Sequence, residues 1–411
     1  MSTTRLFLIT LLLVLPTLAQ AEDGEASDDS APSDDPVPSD DPAPVPPPVV
    51  PVPPPVALPP PQVGFDKGFF IASPDDAFRL VLGGRVQFRF VYENVAGEPR
   101  GNEAHFELPR MRFKMGGHLF DKRIEYKAQI DFAKGQVSLK DAFLDIVGNE
   151  WLILRMGQFK TPYSRQFIAS STKQHFVDRS ITHKAFAPDR DVGILLTSDW
   201  KKAPLEYAIG VFNGTGDAGA FSGTVLVDPT TGEGDLLSAH SSNVPDVPHP
   251  MIVTRVGWHT QGFDGYDESD LGNSDFGVGL GGGLYVDLDA DGGDDSAIGW
   301  QGDVSLKVRG FSTTAAVYAV MEQSGAEFTD QALNSVGFHA SVAYAIKSRV
   351  EPALGYGRIT PTDASGDTQE ILGGVNVYFF KHNIKWVTDA AALIDGADAD
   401  FRLRTQFQLD F

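Results

Sequence analysis

Residues 401–411 alternate without a break. Phe401, Leu403, Thr405, Phe407, Leu409 and Phe411 fall on one face of an extended chain, and Arg402, Arg404, Gln406, Gln408 and Asp410 fall on the other. Such strict alternation means a strand with one apolar and one polar face. The pattern recurs. In 80–92, Leu80, Leu82, Val86, Phe88, Phe90 and Tyr92 oppose Arg79, Arg85, Gln87 and Arg89. In 110–115, Met111, Phe113 and Met115 oppose Arg110, Arg112 and Lys114. In 124–132, Ile124, Tyr126, Ala128, Ile130 and Phe132 oppose Glu125, Lys127, Gln129 and Asp131.

Sixteen segments read this way: 80–92, 105–116, 122–133, 137–147, 151–160, 190–199, 205–213, 251–260, 275–288, 297–307, 311–322, 335–346, 349–359, 367–380, 383–393 and 401–411. They are long for globular strands but suit tilted strands that cross a bilayer. Nowhere do 18 apolar residues run together, so helical membrane spans are excluded. A soluble β-sandwich or β-helix would not explain why every second face is this charged. The predicted fold is all-β, a 16-stranded antiparallel transmembrane β-barrel. Phe70, Tyr92, Trp151, Tyr163, Trp258, Trp300, Tyr378, Phe379 and Trp386 are expected in its interfacial aromatic girdles.

The connections tend to alternate short and long. Lys347-Ser348, Lys381-His382 and Val308-Arg309-Gly310 are short turns; 161–189, 214–250, 323–334 and 360–366 are longer polar loops. The stretch 261–274 is long where a short turn is due. An even strand number puts both chain ends on one side, the periplasmic side of an exported barrel, with the long loops outside.

Residues 1–21 read as a cleaved signal peptide: Arg5, an apolar run from Phe7 to Leu15, then Ala19-Gln20-Ala21 before Glu22. Residues 22–63 hold 15 of the 28 prolines, nine acids, no base and no aromatic residue. Such a segment cannot bury enough apolar surface to offset its ordering entropy. It is expected to be a disordered periplasmic linker with a polyproline part, either a plain spacer or a tether toward the cell wall. Residues 64–411 form the barrel.

The net charge of −22 and the absence of cysteine exclude a basic nucleic-acid-binding face, a disulfide framework and thiolate chemistry. The charge is unevenly spread. Residues 64–213 carry 22 Lys/Arg against 18 acids, whereas 214–411 carry 10 against 28.

Several motifs carry a family resemblance. Phe106-Glu107-Leu108-Pro109-Arg110-Met111-Arg112-Phe113, Leu139-Lys140-Asp141-Ala142-Phe143, Met156-Gly157-Gln158-Phe159-Lys160-Thr161-Pro162-Tyr163 and Asp189-Arg190-Asp191-Val192-Gly193 resemble motifs of the phosphate-selective porin O and P family. So do Val350-Glu351-Pro352 and Leu372-Gly373-Gly374-Val375-Asn376-Val377-Tyr378. The resemblance covers roughly 78–411. It implies a barrel in the outer membrane of a Gram-negative bacterium, a homotrimer, and a constriction loop folded into the pore, here 161–189 by position. It implies outer-membrane lipid as surroundings and small anionic solutes such as phosphate as cargo. The terminal Phe411 is like the aromatic residue read by the barrel-assembly machinery. The sequence departs from the pattern at Pro109, where another arginine of the family's ladder is expected, and in its acidic C-terminal half.

A pore has no catalytic group; its working parts are the charges that line it. Alternation puts Arg85, Arg89, Arg110, Arg112, Lys114 and Lys127 on the lumen face, and Arg155 with them if its strand keeps register. The inward loop adds Arg165, Lys173, Arg179 and Lys184. One reading is an anion funnel, since guanidinium groups bind oxyanions bidentately. The other is ordinary lumen charge, neutralised by Glu125, Asp131, Asp141 and Asp145. No enzyme, cofactor or metal is expected. The Gly277-x-Gly279-x-x-Gly282 match lies within a strand, Ile298 stands where an EF-hand needs its glutamate, and His240-Ser241-Ser242-Asn243 has no partner pattern. The expected function is a passive porin that prefers anions, because the local basic cluster outweighs the acidic rim. The alternatives are a general or cation-preferring channel and a barrel acting as a tether.

Overall fold

The computed structural model describes residues 60–95, 102–215, 220–227, 234–242, 250–288, 296–323, 333–361, 366–396 and 398–411. The signal peptide and nearly all of the Pro-rich segment therefore lie outside the described residues.

A short hairpin, β1 (Gln62–Phe65) and β2 (Phe69–Ala72), comes first. It overlaps the end of the segment expected to be linker, 22–63, which therefore stops short of Gln62. Seven strands follow: β3 (Arg79–Asn94), β4 (Asn102–Leu119), β5 (Asp121–Asp131), β6 (Ser138–Asn149), β7 (Leu152–Lys160), β8 (Arg190–Thr197) and β9 (Leu205–Phe212). A separate two-stranded hairpin, β10 (Ala220–Val227) and β11 (Gly234–Ser242), occupies what reads in sequence as a plain loop. Nine more strands complete the set: β12 (Met251–His259), β13 (Gly277–Leu288), β14 (Ser296–Val308), β15 (Phe311–Gln323), β16 (Leu333–Tyr344), β17 (Val350–Pro361), β18 (Thr368–Phe380), β19 (Ile384–Asp395) and β20 (Asp398–Asp410).

Each strand from β3 onward pairs antiparallel with the next, β9 pairs with β12 across the separate hairpin, and β20 returns to β3. Leaving out the two hairpins, the ring has the 16 strands that the alternation marks. Closure matters because an open sheet edge in lipid would leave backbone donors and acceptors unpaired.

Burial is inverted relative to a soluble protein. Along β14, Gln301, Asp303, Ser305 and Lys307 are buried, while Ile298 and Trp300 are exposed. Val86, Phe88, Met111 and Phe113 face outward; Arg85, Gln87, Arg89 and Gln129 face inward and are covered. A lipid-facing band explains the first set and a filled lumen the second. Trp151, Trp258, Trp300, Phe379 and Trp386 do lie on the outer surface. Tyr163 and Tyr378 do not: both are buried inside and hydrogen-bond or stack within the lumen, so they leave the girdle set. Phe70 lies on the hairpin, beneath the Arg79 guanidinium at 4.0 Å.

One irregularity explains a sequence anomaly. The β3–β4 register slips between Gln87 and Arg89, whose partners are Arg110 and Glu107. The bulge spans Leu108 and Pro109. Proline lacks the donor that a regular ladder needs, so a bulge is where a strand tolerates it. The extra residue also lets Glu107 and Arg110, three apart, both reach the lumen.

Candidate functional site: the constricted lumen

The segment 161–189 enters the barrel and folds there. Thr161 closes its base by donating to the carbonyls of Pro188 and Asp189, each at 2.9 Å. Two short helices, α1 (Arg165–Ile168) and α2 (Ile181–Phe186), begin at Ser164 and Ser180, whose hydroxyls accept from the Phe167 and His183 amides. Apolar residues seat the segment against the wall: Tyr163, Phe186 and Tyr318 cluster with Phe159, Phe212 and Val253. Glycines on the wall make room. A Cβ at Gly337 would stand 2.4 Å from the Phe186 ring, and one at Gly355 would stand 2.7 Å from Phe176.

Polar contacts fix the far end. His175 lies between the hydroxyls of Ser312 and Ser341, at 3.0 Å from each. Asn376 donates to its carbonyl at 2.8 Å, and the Val177 amide donates to Asp389 at 2.9 Å. The loop is therefore tied to β15, β16, β18 and β19, on the opposite wall from where it starts.

A second element reaches it from the other end. The stretch between β12 and β13, which alternation marks as anomalously long, also turns inward: Phe263, Tyr266, Glu268, Ser269 and Asp270 are all buried. Glu268 accepts from the His175 amide at 2.8 Å, and its own amide donates to the Lys173 carbonyl at 3.0 Å. Lys173 pairs with Asp264 at 2.9 Å and Asp267 at 3.3 Å. His382 lies 3.0 Å from Asp267, and Tyr266 hydrogen-bonds Glu206. Burial would raise the pKa of Asp267, but His382, Lys307 and Lys173 outweigh it and hold the carboxyl well below its usual range.

Every wall cation expected from alternation is in the lumen, and every one has a carboxylate. Arg85 and Lys114 share Asp410; Arg89 meets Glu107 and Asp178; Arg110 meets Asp178; Arg112 meets Asp131; Lys127 meets Asp141; Arg155 meets Asp145. Two of the four loop cations leave the eyelet. Arg165 turns to the far wall, where Asp303 accepts at 2.6 Å and Gly265 O at 3.1 Å. Lys173 is taken up by the second inward segment. Arg179 and Lys184 remain, and neither has an ion pair among the described residues.

The structure adds Lys160, Arg190, Arg402 and Arg404, which pattern reading did not select, and shows what holds Arg179. Lys160 donates to the carbonyls of Phe167, Ile168 and Ala169 at 2.5, 3.2 and 3.0 Å. Arg179 donates to the carbonyls of Gln166, Phe167 and Ala169 at 2.9–3.4 Å. Neither meets a carboxylate there. Arg190 shares Asp141 with Lys127. Arg402 pairs with Glu370, and Arg404 with Asp389 and Asp178. The signal for Arg402 and Arg404 is the polar face of the last strand. Lys160 and Arg190 flank the inward loop, and Gly157, at φ +125°, interrupts the alternation ahead of Lys160.

Asp178 is the electrostatic hub. Arg89, Arg110 and Arg404, from β3, β4 and β20, reach it at 3.0, 3.4 and 3.1 Å. Burial would raise its pKa, yet these three guanidinium groups hold it well below the usual carboxylate range. Arg179 shows the complementary effect: burial, with Arg110 and Arg190 nearby, pushes it down to about 9. Burial beside Arg179 likewise keeps the His183 ring neutral, stacked 5.3 Å from Phe167. The eyelet is thus a place where cations repel one another.

The lumen is unequally filled. Beneath the two inward segments, Ser305, Glu351, Glu370, Asn376 and Lys385 are essentially sealed. On the β4–β7 wall the charged ends stay partly open, with Lys127 43% and Arg155 27% exposed.

Residues 81–261 match the family described as "Phosphate-selective porin O and P". No curated protein matches the chain in sequence. Solved structures share the fold. The anion-selective porin from Comamonas acidovorans is 10% identical with a TM-score of 0.55, over 81% of this chain and 99% of that one. A loop L8 deletion mutant of OmpT, an outer membrane protein of Vibrio cholerae, is 11% identical with a TM-score of 0.54, over 81% and 99%. The outer membrane channel DcaP of Acinetobacter baumannii is 13% identical with a TM-score of 0.53, over 81% and 97%. The segment that matches the family holds the barrel's first eight strands and the inward loop.

Proposed function

We propose that this porin is a passive diffusion channel for small hydrophilic solutes in the outer membrane of a Gram-negative bacterium, and that it prefers anions. One observation carries the preference: Lys160, Arg179 and Lys184 have no carboxylate partner among the described residues, while one carboxylate, Asp178, serves three arginines. The paired wall cations Arg85, Arg89, Arg110, Arg112, Lys114, Lys127 and Arg155 then frame an eyelet with net positive potential. Charges at a narrow, low-dielectric site act at short range and escape most salt screening, whereas loop acids in solvent are screened within ~8 Å. The acidic chain as a whole therefore does not decide selectivity. Phosphate-like oxyanions suit guanidinium donors that are already fixed in place.

The rest of the reading follows from export. Residues 1–21 serve as signal peptide, 22–63 as a periplasmic linker, and Phe411 as the mark recognised during barrel assembly. The protein works as a homotrimer in lipid, as the trimer form described for OmpT of Vibrio cholerae would suggest by analogy. No enzymatic step is assigned.

The test is the reversal potential of single channels under a salt gradient. The native pore is expected to favour chloride over potassium. Changing Arg110→Glu together with Arg112→Glu should move it toward cations. A native pore that already favours potassium would overturn the reading and leave a general or cation-preferring channel.

A further inference from the structure

The hairpin β1–β2 occupies an unusual position on the barrel seam. The first and last strands of a closed barrel must meet, and here β3 is longer than its partner. Arg85 to Asn94 of β3 pair with β20, running from Asp410 back to Phe401. Arg79 to Leu82, at the end of β3 beyond the last residue of the chain, pair instead with β2, from Ala72 to Phe69. Two strands thus abut end to end along one side of β3.

The join is tight. Gly84 and Phe411 exchange both backbone hydrogen bonds, at 2.8 and 2.9 Å. A Cβ at Gly83 would lie 2.4 Å from the Phe411 carbonyl oxygen, and one at Gly84 would lie 2.7 Å from the Phe411 ring. On the other side of the join, a Cβ at Gly68 would meet the Leu82 carbonyl at 2.6 Å. Rings cross it: Phe69 packs edge-on to Phe411 at 6.4 Å and to Phe65 at 5.2 Å. Arg79 anchors the hairpin by stacking over Phe70 at 4.0 Å and reaching Asp66 at 3.6 Å.

We propose that this hairpin is a clasp for the barrel seam, and that the surface it fits is the end of the chain's own last strand. Without it, four residues of β3 would present unpaired backbone groups beside Phe411, an edge open to water or to another strand. With it, separating β20 from β3 also requires releasing Phe411 from beneath Phe69. The role is independent of ion selectivity.

The experiment uses the full chain, refolded into detergent or bilayer, and follows the temperature at which the folded form loses its compact mobility on a denaturing gel. Replacing 62–72 by a Gly/Ser stretch of equal length should lower that temperature by several degrees while channels that do form keep their conductance. Deleting 22–57 should leave it unchanged. The chain has no cysteine of its own, so Ile71→Cys with Leu80→Cys places a lone disulfide across the directly opposed β2–β3 pair. The oxidised form should resist heat more than the reduced form. Equal transition temperatures for the oxidised and reduced pair overturn the clasp, as does an unchanged temperature in the Gly/Ser variant. Should that variant not assemble, the cysteine pair alone decides.

Discussion

Arg404, on the last strand, donates to Asp178 on the inward loop at 3.1 Å, across 226 residues of chain. The same carboxylate takes Arg89 and Arg110, so a single acid in the loop meets three cations from the seam of the barrel. Changing Asp178→Asn keeps the shape and removes the charge. Breaking one side of a buried pair costs about 3–5 kcal/mol when nothing relaxes. Here lumen water and the neighbouring Glu107 and Asp389 reduce that cost. The expected result is a folded channel with a higher anion-to-cation permeability ratio. A lower ratio in bilayer recordings would show that Asp178 helps anions pass by holding the arginines in place.

Lys184 is exposed above the eyelet and has no ion pair among the described residues. Changing Lys184→Glu alters the local charge by two units without disturbing a pair. The permeability ratio should fall roughly twofold or more, and the effect should shrink as salt rises. An effect of equal size at low and molar salt would place the residue's influence elsewhere.

The pH response should be confined to acid. Asp267 has its pKa lowered in the folded protein, so its contribution is complete above the unfolded value, near 3.8, and is lost as pH falls below that. The contacts between the two inward segments should therefore hold from neutrality to about pH 5 and loosen under more acidic conditions. Conductance noise measured from pH 7 to 3 tests this, and Asp267→Asn should be noisy throughout. Noise that rises already near pH 6 would point to a different group.

Replacing 261–275 by a two-residue Asn-Gly turn removes the brace under Lys173 and His175. Conductance should rise about twofold, since material leaves the lumen while the ladders to either side can close through a tight turn. An unchanged conductance would mean that the segment fills only space already sealed by 161–189.

The strands were legible because lipid and lumen impose opposite demands on successive residues, and all sixteen barrel strands are where alternation puts them. Alternation also gives the faces: Arg112 inward and Phe113 outward needs nothing more than period two. It cannot give partners. That Arg112 meets Asp131, or that Arg85 and Lys114 share Asp410, depends on register between strands distant in sequence. It fails where the backbone departs from a regular ladder, as at the Leu108–Pro109 bulge and near Gly157. The hairpin β1–β2 is not legible in the sequence because four-residue strands beside a proline-rich stretch carry too few alternations. The inward turn of Phe263 to Asp270 was marked only by length, since buried acids such as Glu268 and Asp270 look like solvent loop residues until their partners are known.

His175 sits between two serines of the far wall, while Lys160, at the end of β7, holds the root of the same loop to the near one. The loop is a crossbeam rather than a flap. With both ends built into the wall, the width of the aperture is dictated by the girth of the ring that carries it, much as a spoke keeps its place only while the rim stays round.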